Sequence, residues 1–313
     1  MAPSLTRRQW LLLTGSGLLT ACSSPKQRLA VQAGVLPQAW LKRLPPGWAV
    51  ESFTPQGSRL GAPANAASIA VTDGWAAQVI PGKPNPWPQG PALEGLLPQA
   101  LPLLPLGLPV GFGPWLLVLR NRADLLTASG ERQGWSLLLD PSLRGKVILP
   151  ASPRLVQQIA ARIGSQSETM EHLRRQALGF NDRDALTLLL NGEAEAAVLP
   201  SRAVLPLLNR DGGLRALLPE QGAPLWWSML VLPQRRAEPP PLDWLLAPRR
   251  SPLLDQLLRA GFTPPLQRSL LAAALARQPH AELLLPADEL LARCSSLAPL
   301  RSAPEAPPGR AGQ

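Results

Sequence analysis

The chain has 313 residues, a formal net charge of +10 and an apolar fraction of 45%, which is enough for two compact lobes with hydrophobic cores. Two cysteines, two histidines and no tyrosine argue against a disulfide framework, zinc or iron–sulfur sites and tyrosine-phenolate iron sites, so no metal and no cofactor is expected. Most of the 31 basic residues are arginines scattered along the chain, a pattern that does not predict a nucleic-acid surface.

Residues 1–22 predict an export signal that ends in a lipidation site. The apolar run at 10–21 is about half the length that a membrane-spanning helix needs, and it follows a basic start, as in a signal peptide. The stretch TRRQWL at 6–11 is similar to a twin-arginine signal, and the general secretory route is the alternative. The stretch LTAC at 19–22 resembles a bacterial lipobox, so we expect Cys22 to carry lipid.

Lipidation would make Cys22 the first residue of the mature chain and would anchor the protein to a membrane from the periplasm. Residues 23–27 would then form a short linker. The last residues, 301–313, are rich in Pro, Gly and Arg and predict a disordered tail. The alternative for Cys22 is an incidental or buried cysteine.

The first half of the chain predicts short strands and helices separated by a long proline-rich loop. A short buried strand ends at Val71, and Thr72 and Asp73 follow it and are placed to cap the next helix. The predicted strands lie at 28–34, 67–71 and 110–120, the helices at 37–44 and 74–80, and the loop at 81–109.

The second half alternates strands and helices, which favours an α/β fold with parallel strands. Ser152 is placed to cap a helix that ends at Gly164, and Ser165 with Glu168 has the spacing of a capping box. A further helix is expected to begin at Asp182. The remaining predicted elements are strands at 146–149, 196–199 and 225–232, helices at 123–139 and from 201, and a helical region at 242–293.

Four segments together resemble the periplasmic solute-binding proteins of the spermidine/putrescine type. They are WSLLLDPSLRGKV at 135–147, NGEAEAA at 191–197, AGFTPP at 260–265 and LPADELLAR at 285–293. The resemblance implies an α/β, two-lobed clamshell that closes around a small solute and presents it to an ABC permease in the membrane.

The resemblance also implies the lobe boundaries. Residues 28–116 and 229–300 would form lobe I, and residues 117–228 would form lobe II. The crossovers between lobes would lie near 109–119 and 225–232, where the sequence is apolar. We expect a monomer.

The polyamine ligand set of the family is only partly present. Relatives place carboxylates at the ligand's ammonium groups, since a buried cation needs counter-charges. Here neither the stretch ASPRL at 151–155 nor the stretch WWS at 226–228 contains an acid, which leaves Asp73 as the pocket carboxylate. An anionic or neutral solute is therefore an alternative to a polyamine, with Ser152 and Arg154 at a helix start that favours anions.

Aromatic residues near the predicted lobe edges are the other candidates for ligand contacts. They are Trp75, Trp115, Trp226 and Trp227, with Ser228 beside them. Each has a structural alternative. Asp73 could serve only as a helix cap, Arg154 could be a solvated helix residue, and the tryptophans could pack in the core.

Two functions other than solute binding are alternatives for this sequence. An enzyme is not expected, because the chain lacks a nucleophile-elbow motif, a phosphate-binding loop and a dinucleotide fingerprint, and neither His172 nor His280 is an obvious base. The second is an accessory or structural lipoprotein that kept the clamshell and lost its ligand site. A filled, apolar cleft would favour that role, whereas converging polar groups would favour solute binding.

Overall fold

The computed structural model describes residues 27–56, 59–79, 87–208, 210–233 and 238–296. The export signal, Cys22, all but the last residue of the 23–27 linker and the 301–313 tail lie outside these residues, so those expectations remain predictions. Within the described ranges, no helix is long and apolar enough to cross a membrane.

The described residues form ten strands and twelve α-helices. The strands are β1 Gln27–Gln32, β2 Trp48–Phe53, β3 Ser68–Thr72, β4 Leu108–Arg120, β5 Val147–Leu149, β6 Ala177–Phe180, β7 Ala196–Pro200, β8 Leu214–Leu217, β9 Pro224–Val231 and β10 Ser295–Ser296. The helices are α1 Gln38–Leu41, α2 Asp73–Val79, α3 Ala128–Gln133, α4 Pro153–Ile163, α5 Gln166–Gln176, α6 Ala185–Asn191, α7 Ser201–Leu208, α8 Leu242–Leu246, α9 Leu253–Arg259, α10 Arg268–Leu275, α11 Ala281–Leu284 and α12 Asp288–Leu291.

The strands are hydrogen-bonded in the order β2-β1-β3-β9-β4-β7-β5-β6, with β10 beside β9 and β8 beside β4. Strands β1, β2 and β3 are parallel to one another, as are β5, β6 and β7. The two central strands, β4 and β9, are antiparallel. All eight residues of β9 are buried, as expected for a strand that is covered on both faces.

Strand β4 connects the two halves of the sheet. Its residues 108–114 pair with β9, and residues 115–119 pair with β7. The strand therefore runs out of the half that contains β1–β3 and into the half that contains β5–β8. This arrangement gives the predicted two-lobed α/β architecture, and we keep the residue boundaries of the lobes as a prediction.

The register brings the carboxyl ends of strands from both halves close to one place. At the end of β3, Thr72 pairs with Ser228 of β9. At the end of β7, Pro200 pairs with Trp115 of β4. Because residues 113 and 226 pair between these two points, the loops that follow β3 and β7 meet beside the β4–β9 crossover. Ligands of open α/β folds bind at such strand ends.

Tryptophans pack each half of the molecule. In the first half, Trp40 and Trp244 stack with ring centroids 4.6 Å apart, and each indole N–H donates to the other's backbone carbonyl, at 3.0 and 3.1 Å. In the second half, Trp135 is buried and its indole N–H donates to the carbonyl of Gly222 at 2.8 Å. Each of these three rings thus has its indole N–H paired, which avoids the cost of an unsatisfied donor.

The strands and helices predicted from the sequence are largely confirmed, with three differences. Strands β2, β6, β8 and β10 were not predicted. The helix expected to begin at Asp182 begins at Ala185 instead, because the Asp182 carboxylate accepts the backbone N–H of Ala151 at 3.0 Å. The capping box at Ser165 was wrong, since that side chain makes no cap hydrogen bond.

The contrast between Ser152 and Ser165 predicts different effects of removing their hydroxyls. Ser152 accepts the N–H of Leu155 at 3.4 Å and begins α4, whereas Ser165 begins α5 without such a bond. Ser152→Ala should lower the free energy of unfolding by about 1 kcal/mol, and Ser165→Ala should change it by less than about 0.5 kcal/mol. Urea denaturation of both variants checks this, and equal losses would contradict it.

Candidate functional site

Asp73 lies at the junction of the two halves, as the first residue of α2 directly after β3. Its side chain is 4% exposed, and Oδ2 is sealed from solvent without a hydrogen-bond partner. Burial raises the pKa of this carboxyl to about 6, and the backbone N–H groups of Gly74 and Trp227 partly offset the shift. Asp73 is therefore not only the first residue of a helix. It is also a buried carboxyl whose pKa is raised toward neutral pH.

Arg202 approaches the same place from the other half of the molecule, as the second residue of α7 after β7. Its guanidinium lies over the ring of Trp226, with Cζ 4.8 Å from the centroid, and it donates to the carbonyl of Gly34 at 3.3 Å. Burial lowers the pKa of Arg202, and the charge of Asp73 acts in the opposite direction. The two charges interact through space, and no salt bridge joins these two described residues.

Trp226 is the residue against which the beginning of α7 packs. It is 3% exposed, its indole N–H donates to Oγ of Ser201 at 3.1 Å, and its ring centroid is 6.2 Å from that of Phe262. The contact needs a glycine opposite, because a Cβ at position 113 would lie 2.3 Å from the Ser201 Oγ. The beginning of α7 is thereby held against the crossover.

A second glycine, Gly261, lets the α9–α10 loop approach the same helix start. It has a φ of +72°, and a Cβ there would lie 2.8 Å from the Cα of Arg202. Only glycine adopts this conformation without strain while leaving the space open. The close packing places the backbone of one half directly on the beginning of α7 from the other half.

Trp227 and Ser228 lie beneath this surface, in the core. Trp227 is fully buried, and its ring stacks on Phe112 with centroids 5.2 Å apart. The Ser228 hydroxyl donates to the carbonyl of Val35 at 2.8 Å. In this conformation both side chains are covered, so their predicted contact with a ligand stays a prediction and their observed contacts are structural.

The remaining predicted tryptophans lie at the edge of the junction. Trp115 is partly exposed in the middle of β4, opposite Pro200, and its indole nitrogen is sealed without a partner. The indole nitrogen of Trp227 is sealed in the same way. Trp75 lies in α2 and packs partly buried against the core. A buried donor without a partner is costly, and both indole nitrogens carry this cost in the folded protein.

The other predicted pair, Ser152 and Arg154, lies at the beginning of α4, after β5. The Ser152 hydroxyl caps the helix, and the side chain of Arg154 is exposed. The loop before this helix contains no acid in its own sequence, but it contacts one. The Asp182 carboxylate accepts the Ala151 N–H, and burial raises the pKa of that carboxyl. The structure thus brings Asp73, Trp226, Trp227 and Ser228 together, while Ser152 and Arg154 lie at the beginning of a different helix.

Sequence reasoning missed Arg202 as a site residue, together with its neighbour Ser201 and the acid Asp182. A positional signal for Arg202 was present, because it comes two residues after a parallel strand ends and strand ends build the sites of this fold class. As for metals, the described residues contain no group of three or more His, Cys, Asp and Glu side chains that could hold an ion.

No protein-family model matches this sequence, and no curated protein is similar to it in sequence. Solved structures do resemble it. The TpPotD lipoprotein of Treponema pallidum is 11% identical with a TM-score of 0.65, covering 88% of this chain and 94% of that chain. A spermidine/putrescine ABC transporter substrate-binding protein of Streptococcus pneumoniae is 14% identical with a TM-score of 0.63, covering 87% and 93%.

A ferric binding protein from Campylobacter jejuni is more distant, at 13% identity and a TM-score of 0.58, covering 77% of this chain and 87% of that chain. At such identities the likeness concerns the fold. The predicted two-lobed α/β clamshell of periplasmic binding proteins is therefore confirmed, and the resemblance seen in the sequence to the spermidine/putrescine type agrees with two of these three structures.

The raised pKa of Asp73 predicts a pH dependence of stability. In the unfolded chain this carboxyl ionises near its usual pKa of 3.8, and in the folded chain near 6, so the folded state binds more protons between these values and loses stability as pH rises through them. Relative to Asp73→Asn, the wild type should lose about 2 kcal/mol of unfolding free energy between pH 4 and 7.

Urea denaturation at several pH values measures this difference. The matched control is Asp243→Asn, which removes an exposed carboxylate from the first turn of α8 and should show no such trend. A difference between wild type and Asp73→Asn that stays constant from pH 4 to 7 would contradict the prediction.

Proposed function

We propose that the protein is an extracytoplasmic solute-binding component of an ABC importer, anchored to a membrane through lipid on Cys22. It would bind a small solute between its lobes, present it to a membrane permease, act as a monomer and perform no chemistry of its own. The observation that carries this proposal is the convergence of polar and aromatic groups from both halves at the β4–β9 crossover. Asp73 comes from one half, Arg202 from the other, and Trp226 lies between them.

The convergence supports solute binding for a physical reason. Burying a carboxyl and a guanidinium at one junction costs solvation free energy. Natural proteins keep such groups buried where a ligand or a moving interface uses them. Because strand ends of both lobes carry these groups, a solute bound there would hold the lobes together, as expected of hinge closure around a ligand.

The likeness of fold agrees with the same function. The Treponema pallidum and Streptococcus pneumoniae structures are described as a lipoprotein of the PotD type and as a spermidine/putrescine substrate-binding protein. The predicted lipobox at 19–22 would give this chain an anchor of the same kind as the first of these. The acids expected for a polyamine are few here, so we assign the transport role without assigning a polyamine as the solute.

The close packing at Gly261 favours one alternative. Because the backbone of this loop rests on Ser201 and Arg202, the two halves of the molecule are in direct contact at this point. An accessory lipoprotein that keeps the clamshell but does not open would have such a contact. Solute binding and an accessory role differ in whether a ligand stabilises the folded protein.

The solute-binding proposal predicts that some small molecule raises the unfolding temperature of the mature protein. Free ligand at about a hundredfold excess over its Kd adds about 2.7 kcal/mol to the free energy of unfolding. Differential scanning fluorimetry against polyamines, amino acids, organic acids, sugars, sugar phosphates and simple anions measures the shift. If no compound in a broad panel moves the midpoint, the accessory role is favoured instead.

The lipid anchor predicts a change of location when the thiol is removed. Cys22→Ser cannot be acylated, so the protein should leave the membrane pellet and appear in the soluble periplasmic fraction. Cys294→Ser is the matched control, because the thiol of Cys294 is buried in the folded domain and has no part in anchoring. Equal membrane association of the wild type and Cys22→Ser would contradict the anchor.

A further inference from the structure

Arg202 is the charged group of the junction that a solute can reach. The sealed polar atoms without partners in the described residues include Oδ2 of Asp73 and the indole nitrogens of Trp115 and Trp227, but no nitrogen of Arg202. The Arg202 side chain is partly exposed. A guanidinium has five N–H donors, and within the described part of the chain Arg202 uses one of them, in the 3.3 Å bond to Gly34.

The guanidinium is also held in place from behind. The ring of Trp226 lies under it at 4.8 Å, the Gly34 carbonyl holds one edge, and Asp73 supplies a negative charge nearby. Trp226 is in turn fixed by its bond to Ser201. Such preorganisation lowers the entropy that a ligand loses when it binds. The free oxygen of Asp73 is closed to solvent, so this carboxyl contributes its charge to the site and not a contact with a solute.

We infer that Arg202 is the anion-recognising group of the site and that the solute carries a carboxylate. This inference rests on the proposed function. The planar guanidinium fork matches a carboxylate in a bidentate pair, and a bound carboxylate would neutralise a cation whose burial is costly. An ammonium group has no equivalent partner, because the one nearby carboxylate oxygen without a hydrogen bond is sealed.

Two other arginines, away from the junction, line a groove that is an alternative place for an anion to bind. Arg210 and Arg259 line a groove of about 180 Å³ between α7 and α9, with Gln278 at its edge. Arg210 is exposed, and a surface arginine without a preorganised partner holds an anion weakly. Because Arg210 follows the same helix as Arg202, it provides a matched control that removes the same charge from another place.

The test measures binding of succinate, glutamate and acetate to the mature protein in mild detergent, by isothermal titration calorimetry. Phosphate, putrescine and glucose are the comparison compounds. Arg202→Gln should weaken carboxylate binding by roughly tenfold or more, since it removes charge-assisted hydrogen bonds. Arg202→Lys keeps the charge near Asp73 but loses the fork, so its affinity should fall between those of the wild type and Arg202→Gln. Arg210→Gln should bind as the wild type does.

Circular dichroism confirms that each variant is folded, and Arg202→Lys replaces Arg202→Gln in the comparison if the latter does not fold. Carboxylate binding that depends on Arg202 and not on Arg210 is the expected result. Binding of putrescine, glucose or phosphate that is indifferent to Arg202 would overturn the inference while leaving solute binding in place. Loss of carboxylate binding in Arg210→Gln alone would also overturn it. Binding of no compound would overturn both proposals.

Discussion

The pairing of β4 with β9 is the constraint on which the rest of the structure depends. Strand β4 is thirteen residues long, and it pairs first with β9 and then with β7. Because one continuous strand belongs to both halves of the sheet, it sets where the strand ends of the two lobes meet. That meeting point is covered by Trp226 and lies against Gly113, so the central hydrogen-bond ladder and the candidate site are parts of one arrangement.

The chemistry of the junction follows from burial at this point. A carboxyl and a guanidinium, each contributed by a residue just after a strand end, sit among tryptophans in a low-dielectric environment. Low dielectric raises the cost of each charge and strengthens the attraction between them. The sealed carboxyl of Asp73 therefore supports the reachable guanidinium of Arg202. With the cation reachable and the carboxyl sealed, the junction would favour an anionic partner. A site in which a carboxylate faces the cleft would favour a cation instead.

The sequence predicted the local features of the fold well where the signal was local. Helix α4 begins at the Ser152 cap and ends at Gly164 as expected, because capping depends on residues within one helical turn. The short strands β6 and β8 were missed, since strands of four residues acquire their structure from the neighbours with which they pair. The cap expected of Ser165 is not formed, since that side chain makes no cap hydrogen bond although it precedes the first residue of α5.

For the site, the sequence by itself determined that Asp73 follows a buried strand and that tryptophans lie on an apolar crossover strand. Only the tertiary structure decided that Trp227 and Ser228 turn into the core, that Trp226 faces α7, and that Arg202 lies on its ring. The side chains of Arg202 and Trp226 are far apart along the chain, and no local pattern specifies their contact. Sheet register and the space left by two glycines bring them together, and these depend on the packing of the whole molecule.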